Sequence, residues 1–469
     1  MKKHHLLIIC LGFLASGCSA SPAPASRTAH SVDLIVLGDH VLTMTDSTVA
    51  LNQAVVIDDG IIIAIGDTES MLNQYTADEQ IDGKDRIVLP GLVNGHTHAA
   101  MTLMRGIADD LELMTWLNEY IFPAEVELVD PEFIRVGTEL ACWEMIRGGT
   151  TTFIDMYFFP ETVASTVESC GLRAVVVPSV IEQESPDAKT FEQSLEQALA
   201  FAANWKDRHP RIIPALGAHS VYTVGEAALK KIVAAAHGAD LPISIHVAES
   251  QFEMTVTNDQ YQKSPIQLLD DLGFLDDTLI AAHVIYGSDE DWQRMARDGV
   301  GAIHNPTSNL KLASGISPIV TMREAGVTVG LGTDGAASNN DLDMWEEIRL
   351  AAFVAKGFGQ DPTFLPAHEA LDMATRSGAK AVGLGKTVGT LEIGKKADLI
   401  QVSTHDLSFA PMYDPISHLV YVADEHDVVT TVVEGAVLMR DKQILTIDED
   451  QLRRDVAKIR EKIAALVNR

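Results

Sequence analysis

Ile87-Val88-Leu89-Pro90-Gly91-Leu92-Val93 is an almost unbroken apolar run of strand length, and Asn94-Gly95-His96-Thr97-His98 follows it directly. Strands covered by helices on both faces read as continuous apolar runs rather than as alternations. Seven more runs of this kind follow, at Thr151 to Ile154, Ala174 to Val177, Ile212 to Leu216, Ile243 to Val247, Leu279 to Ala282, Val300 to Ile303 and Val327 to Leu331. Amphipathic stretches of helix length separate them, as at Glu226 to His237 and Glu290 to Asp298. Strand alternating with helix predicts an α/β fold with a parallel sheet. With Ile87 to Val93 as the opening strand, eight strands favour a closed (β/α)8 barrel of the TIM type, here over residues 89–388.

The flanks read differently. Asp33 to Leu37, Val41 to Met44, Ala54 to Ile57 and Ile61 to Ile65 are short β-rich pieces, and Asp59-Gly60 between the last two predicts a hairpin. The same texture returns at Ala397 to Val402 and Val428 to Leu438, with Glu434-Gly435 at a turn. The two ends are therefore expected to pair into one small, discontinuous β-sandwich domain, residues 31–88 with 389–447. Leu452 to Val467 predicts a terminal helix within 448–469.

Hydrophobic residues make up 46% and charged residues 22% of the 469, which excludes a disordered chain and a multi-span membrane protein. With 35 Lys+Arg against 66 Asp+Glu the formal charge is -31, a field that repels phosphate backbones and argues against a nucleic-acid partner. Lys2 and Lys3 precede the apolar run Leu6 to Leu14, too short to span a bilayer and patterned as a secretory signal. It ends in Ala15-Ser16-Gly17-Cys18, which resembles the bacterial lipoprotein cleavage box. That resemblance implies a signal peptide over 1–17, a lipidated Cys18 and an exported protein anchored on the periplasmic side of the outer membrane. Residues 18–30, rich in Ser, Ala and Pro, are expected to be a flexible tether. Cys142 and Cys170 remain in the domain and are expected to be buried thiols.

Ligand-type residues gather where the expected strands end, the rim on which barrel enzymes build their sites. His96 and His98 are two apart and so point to the same side of an extended chain. His246 closes Ile243-Ser244-Ile245, His283 closes Ile280-Ala281-Ala282, and Asp334 follows Gly330-Leu331-Gly332-Thr333. Taken singly, a His-X-His pair or a Thr-Asp-Gly turn carries little. Four strand ends delivering such residues to one rim make a plausible shell of three imidazoles and a carboxylate around one cation.

Pro90-Gly91-Leu92-Val93-Asn94-Gly95-His96-Thr97-His98, Met101-Thr102-Leu103-Met104-Arg105-Gly106, His246-Val247-Ala248-Glu249, His304-Asn305-Pro306 with Ser308-Asn309, and Gly332-Thr333-Asp334-Gly335 together resemble the amidohydrolase superfamily. Within it they are similar to the branch of methylthioadenosine/S-adenosylhomocysteine deaminases and triazine hydrolases. The resemblance runs from about Val32 to the C-terminus and implies a hydrolytic deaminase. His96, His98, His246 and Asp334 would bind one divalent metal, zinc foremost, which brings the pKa of its water toward ~7. Asp334 would take a proton from that water, His283 would orient it or steady the developing charge, and Glu249 would carry a proton to the ring nitrogen beside the attacked carbon. The bridging Lys or Glu of two-metal relatives is absent from Gly217-Ala218-His219-Ser220, so one metal is expected.

For the substrate, the resemblance points to 5'-methylthioadenosine, adenosine or S-adenosylhomocysteine. Glu125 would hold the ribose hydroxyls, Trp116 would wall the pocket, and His219 would touch purine and ribose. Pro178 stands at one position where the branch uses an arginine toward the amino-acid tail, and Lys189 is the nearest cation to the other, so an uncharged tail is expected over S-adenosylhomocysteine. Two alternatives stay open: hydrolysis of another heterocycle, such as a guanine or pterin relative or a chlorotriazine, and a lipid-tethered binding protein without turnover. Homo-oligomers are common in the family, and the composition selects no state.

Overall fold

The structure, a computed structural model, describes residues 29–467. The expected signal peptide, the lipidated Cys18 and most of the tether lie outside the described residues. His30, expected at the end of the tether, opens the first strand, His30–Leu42, and pairs in parallel with Tyr75.

Eight parallel strands form the barrel wall in chain order: Leu92–Thr97, Thr150–Tyr157, Arg173–Val180, Leu216–Ser220, Ile243–Val247, Leu279–His283, Gly301–His304 and Thr328–Leu331, with the short Ile212–Pro214 paired beside the third. Their inward apolar side chains, among them Val93, Ile154, Val175, Val177, Ile280 and Ile303, fill the lumen as one cluster, and a larger one lies between the strands and the helices. Ladder pairing runs from the first strand to the eighth, and the Asn94 side chain and one backbone bond bridge the seam between those two. Asn94 Nδ2 donates to Thr333 Oγ1 at 2.7 Å while Asn94 Oδ1 accepts from Thr333 N at 3.0 Å, and Asp334 N donates to His96 O at 2.9 Å.

The chain ends build a second sheet of nine strands. Val49–Asp58 and Ile61–Asp67 pair antiparallel around Asp59-Gly60, and Leu399–Ser403 and Val428–Val433 join the sheet from the far end of the chain. Leu34, Val55, Ile62, Val88, Leu399 and Val432 share one apolar cluster, so both ends contribute to the same small core.

The opening strand differs from the sequence expectation. Arg86–Pro90 belongs to the small domain, where it pairs antiparallel with Leu399–Ser403, and the barrel begins at Leu92. Gly91 makes the break: a Cβ there would come within 2.1 Å of the Thr151 side chain, and its N–H donates to Asp398 O at 3.1 Å. One apolar run thus serves two sheets. The terminal helix Glu449–Val467 packs on helix Pro131–Gly148, with Arg135 Nη2 donating to Asp455 Oδ2 at 3.0 Å. Cys142 and Cys170 are buried free thiols. No helix among the described residues is long and apolar enough to cross a membrane.

Candidate metal centre and active site

The wall strands deliver their last residues to one end of the barrel, so side chains far apart in sequence meet there. His96 and His98 come from the first strand end, His246 from the fifth, His283 from the sixth and Asp334 from beyond the eighth. His98 Nε2 lies 3.2 Å and His96 Nε2 3.5 Å from Asp334 Oδ1, and His246 Nε2 lies 3.3 Å from His98 Nε2. The ring centroids of His246 and His283 are 5.4 Å apart. Possible ligand atoms of His96, His246 and His283 lie within 4.8 Å of one another, and so do those of His96, His98 and Asp334.

The tautomers follow from the outer partners. His98 Nδ1 faces Met156 O at 2.5 Å and His246 Nδ1 faces His219 O at 2.6 Å. A carbonyl only accepts, so each Nδ1 carries a proton and each Nε2 faces inward, where it would give its lone pair to a bound cation. Two inward Nε2 atoms and a carboxylate oxygen at these separations form a shell for a cation. Tetrahedral bonds of about 2.0–2.1 Å put neighbouring donors roughly 3.3 Å apart, which matches the separations here. Fully buried His96 adds to this, for neither of its ring nitrogens has a hydrogen-bond partner within the protein. A buried imidazole left so is costly, and a bound cation would relieve it. The donor set therefore fits one divalent metal.

Electrostatics around this cluster are set by burial and by Asp334. Burial holds His96 down to about 4 and His219 to about 3, and drives His246 well below its usual value. On His98 burial acts the same way but is outweighed by the Asp334 carboxylate, which lifts it to about 9. Burial would raise Asp334, yet the imidazoles of His96 and His98 beside it hold it well below the carboxylate range. Its Oδ2 accepts from Ser308 Oγ at 2.7 Å and Ser338 Oγ at 3.0 Å, and Oδ1 from Gly335 N at 2.8 Å. Asp334 (φ 65) and His283 (φ 73) both take the left-handed backbone region, a strain that persists where surrounding contacts over-determine the position. Gly332 lets the turn pass: a Cβ there would meet Asn305 Oδ1 at 2.6 Å and His96 N at 2.8 Å.

A cavity of about 550 Å³ opens onto this cluster, within the range of small-molecule sites. His98, His219, His246, Glu249, His283 and Asp334 line it together with Trp116 and Glu125. His283 Nδ1 lies 2.9 Å from Asn309 Oδ1 and 3.2 Å from Asn305 Nδ2, and its Nε2 faces Glu249 Oε1 at 3.8 Å. Burial raises the Glu249 carboxyl above its ordinary value. Glu125, on helix Phe122–Leu128, accepts from Tyr157 OH at 2.8 Å, and burial pushes it up to about 7. His219 Nδ1 pairs with Thr223 Oγ1 at 2.9 Å. Every residue singled out in the sequence as ligand, proton carrier or pocket wall, apart from buried His96, lines this one cavity.

Sequence reading missed several supports. Tyr157 lies beyond the expected end of its strand, which runs to Tyr157 rather than stopping at Ile154. Asp155, buried on the same strand, accepts from Ala99 N at 2.6 Å and fixes the turn after His98. Glu253 accepts from Ala248 N and Glu249 N, both at 2.9 Å. Its signal was Ser250-x-x-Glu253, which reads as a capping box. Ser250 does cap Glu253 N at 3.2 Å, but the Glu reaches past the cap to the two preceding amides.

Comparison with known proteins agrees with this architecture. The chain is 42% identical over 438 residues to a 5'-deoxyadenosine deaminase of Methanosarcina mazei, covering 93% of this chain and 99% of the relative. It is 44% identical over 401 residues to a 5-methylthioadenosine/S-adenosylhomocysteine deaminase of Desulforudis audaxviator, covering 85% and 92%. An adenosine deaminase from Xanthomonas campestris, crystallised with bound zinc, superposes with a TM-score of 0.91 at 35% identity, covering 93% of this chain and all of that one. The sequence profile of the amidohydrolase family matches residues 87–438, from the strand before Gly91 to the strands that close the small domain, and the chain belongs to that family.

Proposed function

We propose that the protein is a metal-dependent aminohydrolase that converts adenosine-type nucleosides, with 5'-methylthioadenosine, 5'-deoxyadenosine and adenosine foremost and S-adenosylhomocysteine as a further candidate, to the inosine analogue and ammonia. The observation that carries it is one cavity in which a cation-ready cluster, an acid with a raised pKa and a second buried carboxylate lie together. A divalent ion held by His96, His98, His246 and Asp334 would supply an acidified water beside the substrate. Imidazole nitrogens and a carboxylate oxygen are the ligand types that zinc takes at catalytic sites, which makes zinc the expected ion.

The chain's own groups divide the remaining work. Burial favours the protonated form of Glu249, so it can donate to the purine nitrogen beside the amino-bearing carbon. Asp334 accepts a proton from the attacking water and passes it to the departing amino group. The carbon–nitrogen bond breaks, ammonia leaves, and the oxygen stays on the ring as a carbonyl, its remaining proton restoring the Glu249 carboxyl. His283, held by Asn309, points Nε2 at the reacting region and steadies charge on the added oxygen. Glu125 offers the ribose its second carboxylate oxygen while Tyr157 holds the first. The test is ammonia release from the zinc-loaded domain, with Glu249→Gln as control. Loss of about 10²–10⁴ in kcat for the variant is expected of a general acid. Ammonia from a guanine or pterin, or chloride from a triazine, with none from adenosines, would move the substrate and leave the site.

We also infer an outer-membrane lipid anchor. It rests on Lys2, Lys3, the run Leu6 to Leu14 and Ala15-Ser16-Gly17-Cys18. Cys18→Ala should release the protein from the membrane fraction, and an unchanged distribution would sink the idea.

A further inference from the structure

We propose that Glu347, buried beside the loops that carry and clamp Asp334, is a positioning residue that holds the Asp334 carboxylate in place for its proton transfers; the inference rests on the nucleoside-deaminase reading above. Glu347 stands in the first turn of helix Met344–Gly359 and is fully buried. Its Oε2 accepts from Thr307 N at 3.1 Å and its Oε1 from Asn339 Nδ2 at 2.6 Å. Both donors are neutral, and among the described residues no Lys or Arg forms an ion pair with it. Burying an acid in this way is costly, and burial raises its carboxyl well above the ordinary value. An apolar side chain would fill the same space without that cost. What the position gains from the acid is two acceptor oxygens, each holding a donor.

Those two donors lie on the two segments that shape Asp334. Thr307 precedes Ser308 and Asn339 follows Ser338, and the Oγ atoms of these serines are the ones that bond Asp334 Oδ2, at 2.7 and 3.0 Å. Asn339 Nδ2 also donates to Thr333 O at 2.8 Å, the carbonyl just before Asp334. One carboxyl group thus ties helix Pro306–Lys311 to the turn 333–340, and Asp334, at φ 65, is gripped from both. Strained backbone persists where its surroundings over-determine it. Gln at this position would offer one acceptor oxygen and set its NH2 against the second donor.

Asp334 has two tasks in the proposed reaction, taking a proton from water and giving it to the departing amino group, and the 6-chloro analogue of adenosine separates them. Hydrolysis of that analogue breaks a carbon–chlorine bond, chloride leaves as an anion, and the proton on Asp334 goes to solvent. Glu347→Gln is expected to lower kcat for adenosine about tenfold or more with KM little changed, and to lower kcat for the chloro analogue about threefold less than that. Rates are read per bound zinc, so a merely structural loss of folded or metal-loaded protein leaves the ratio of the two kcat values at its wild-type level. Zinc affinity, read by competition with a chelator, should weaken about tenfold, because a ligand has lost its outer support. Asn339→Ala cuts the tie to the Asp334 turn alone; it should move both readouts the same way, and it carries the test if Glu347→Gln does not fold. A ratio at its wild-type level overturns the proposal and leaves the deaminase reading standing. If the wild-type protein spares the chloro analogue, zinc affinity decides in its place, and an unchanged affinity overturns the proposal. No ammonia from adenosine or 5'-methylthioadenosine with the wild-type protein overturns the deaminase reading and the proposal together.

Discussion

His98 Nε2 and His246 Nε2 stand 3.3 Å apart, both turned inward, because each Nδ1 gives its proton to a carbonyl. Bringing them together without a cation costs stability, so metal binding and folding are linked. A ligand present at about 100 times its Kd adds roughly 2.7 kcal/mol to the folded state, which for a chain of this size is about 3 °C in Tm. Chelation should lower the melting temperature by that order, and zinc should restore it. His98→Ala should abolish the metal-dependent part of the shift. A chelated sample that melts where the metal-loaded one does would contradict this reading of the cluster.

Glu253 grips the backbone that carries Glu249. Both its oxygens accept amide protons, from Ala248 and Glu249, and Ala248 sits at φ 50. Gln in its place offers one acceptor and one donor, so one buried N–H loses its partner, a cost of about 1–3 kcal/mol. The larger effect should fall on chemistry, since displacement of a reacting group by an ångström can cost ~10²-fold. Glu253→Gln is expected to lower kcat at least tenfold with KM little changed. Steady-state kinetics on the folded variant decide the matter, and wild-type kcat would refute the positioning role.

Glu125 gives the molecule a pH dependence with a definite sign. Burial raises its pKa to about 7 from an ordinary 4.5, so below pH 7 the free protein holds it protonated and poorer as an acceptor for ribose hydroxyls. KM for an adenosine substrate should therefore rise as pH falls below about 7, and the rise should be absent for a 2',3'-dideoxynucleoside. For stability, the folded state holds a proton that the unfolded chain has released between pH 4.5 and 7. The contribution is present below 4.5 and is lost as pH rises through about 7. Glu125→Gln should flatten that slope, and parallel stability profiles for variant and wild type would refute the assignment.

How far the sequence could be read depends on which forces leave a linear trace. The barrel was legible because strands buried on both faces must be apolar throughout, and the cluster because each ligand follows such a run. His96-Thr97-His98 and Thr333-Asp334-Gly335 carried their own spacing. The split at Gly91 was not legible, since a single apolar run satisfies either sheet and only the approach of Thr151 and Asp398 separates them. Tyr157 and Glu253 escaped for another reason. Their partners, Glu125 and the amides of Ala248 and Glu249, are set by tertiary placement, and no periodicity announces that.

Arg173 and Asp398 join the two domains at the barrel face away from the site, for Arg173 opens the third wall strand while the cluster sits at strand ends. The guanidinium donates from Nε to Asp398 Oδ2 at 2.9 Å and from Nη2 to Oδ1 at 3.0 Å, and both side chains are 1% exposed. Asp398 Oδ1 also accepts from Glu434 N at 2.8 Å, so the pair ties the barrel to the chain's far end. Removing one partner strands a buried charge, at a cost of about 3–5 kcal/mol, whereas replacing both with apolar residues can be far milder. Arg173→Met should lower the melting temperature strongly, and adding Asp398→Leu should recover part of the loss. Recovery stays partial because Glu434 N and Pro210 O lose their partners. Conserved catalytic constants at 25 °C in whatever fraction remains folded would fit a purely architectural role, since the barrel face opposite the site governs stability. A double variant no more stable than Arg173→Met alone would show that the pair is not the coupled unit its geometry describes.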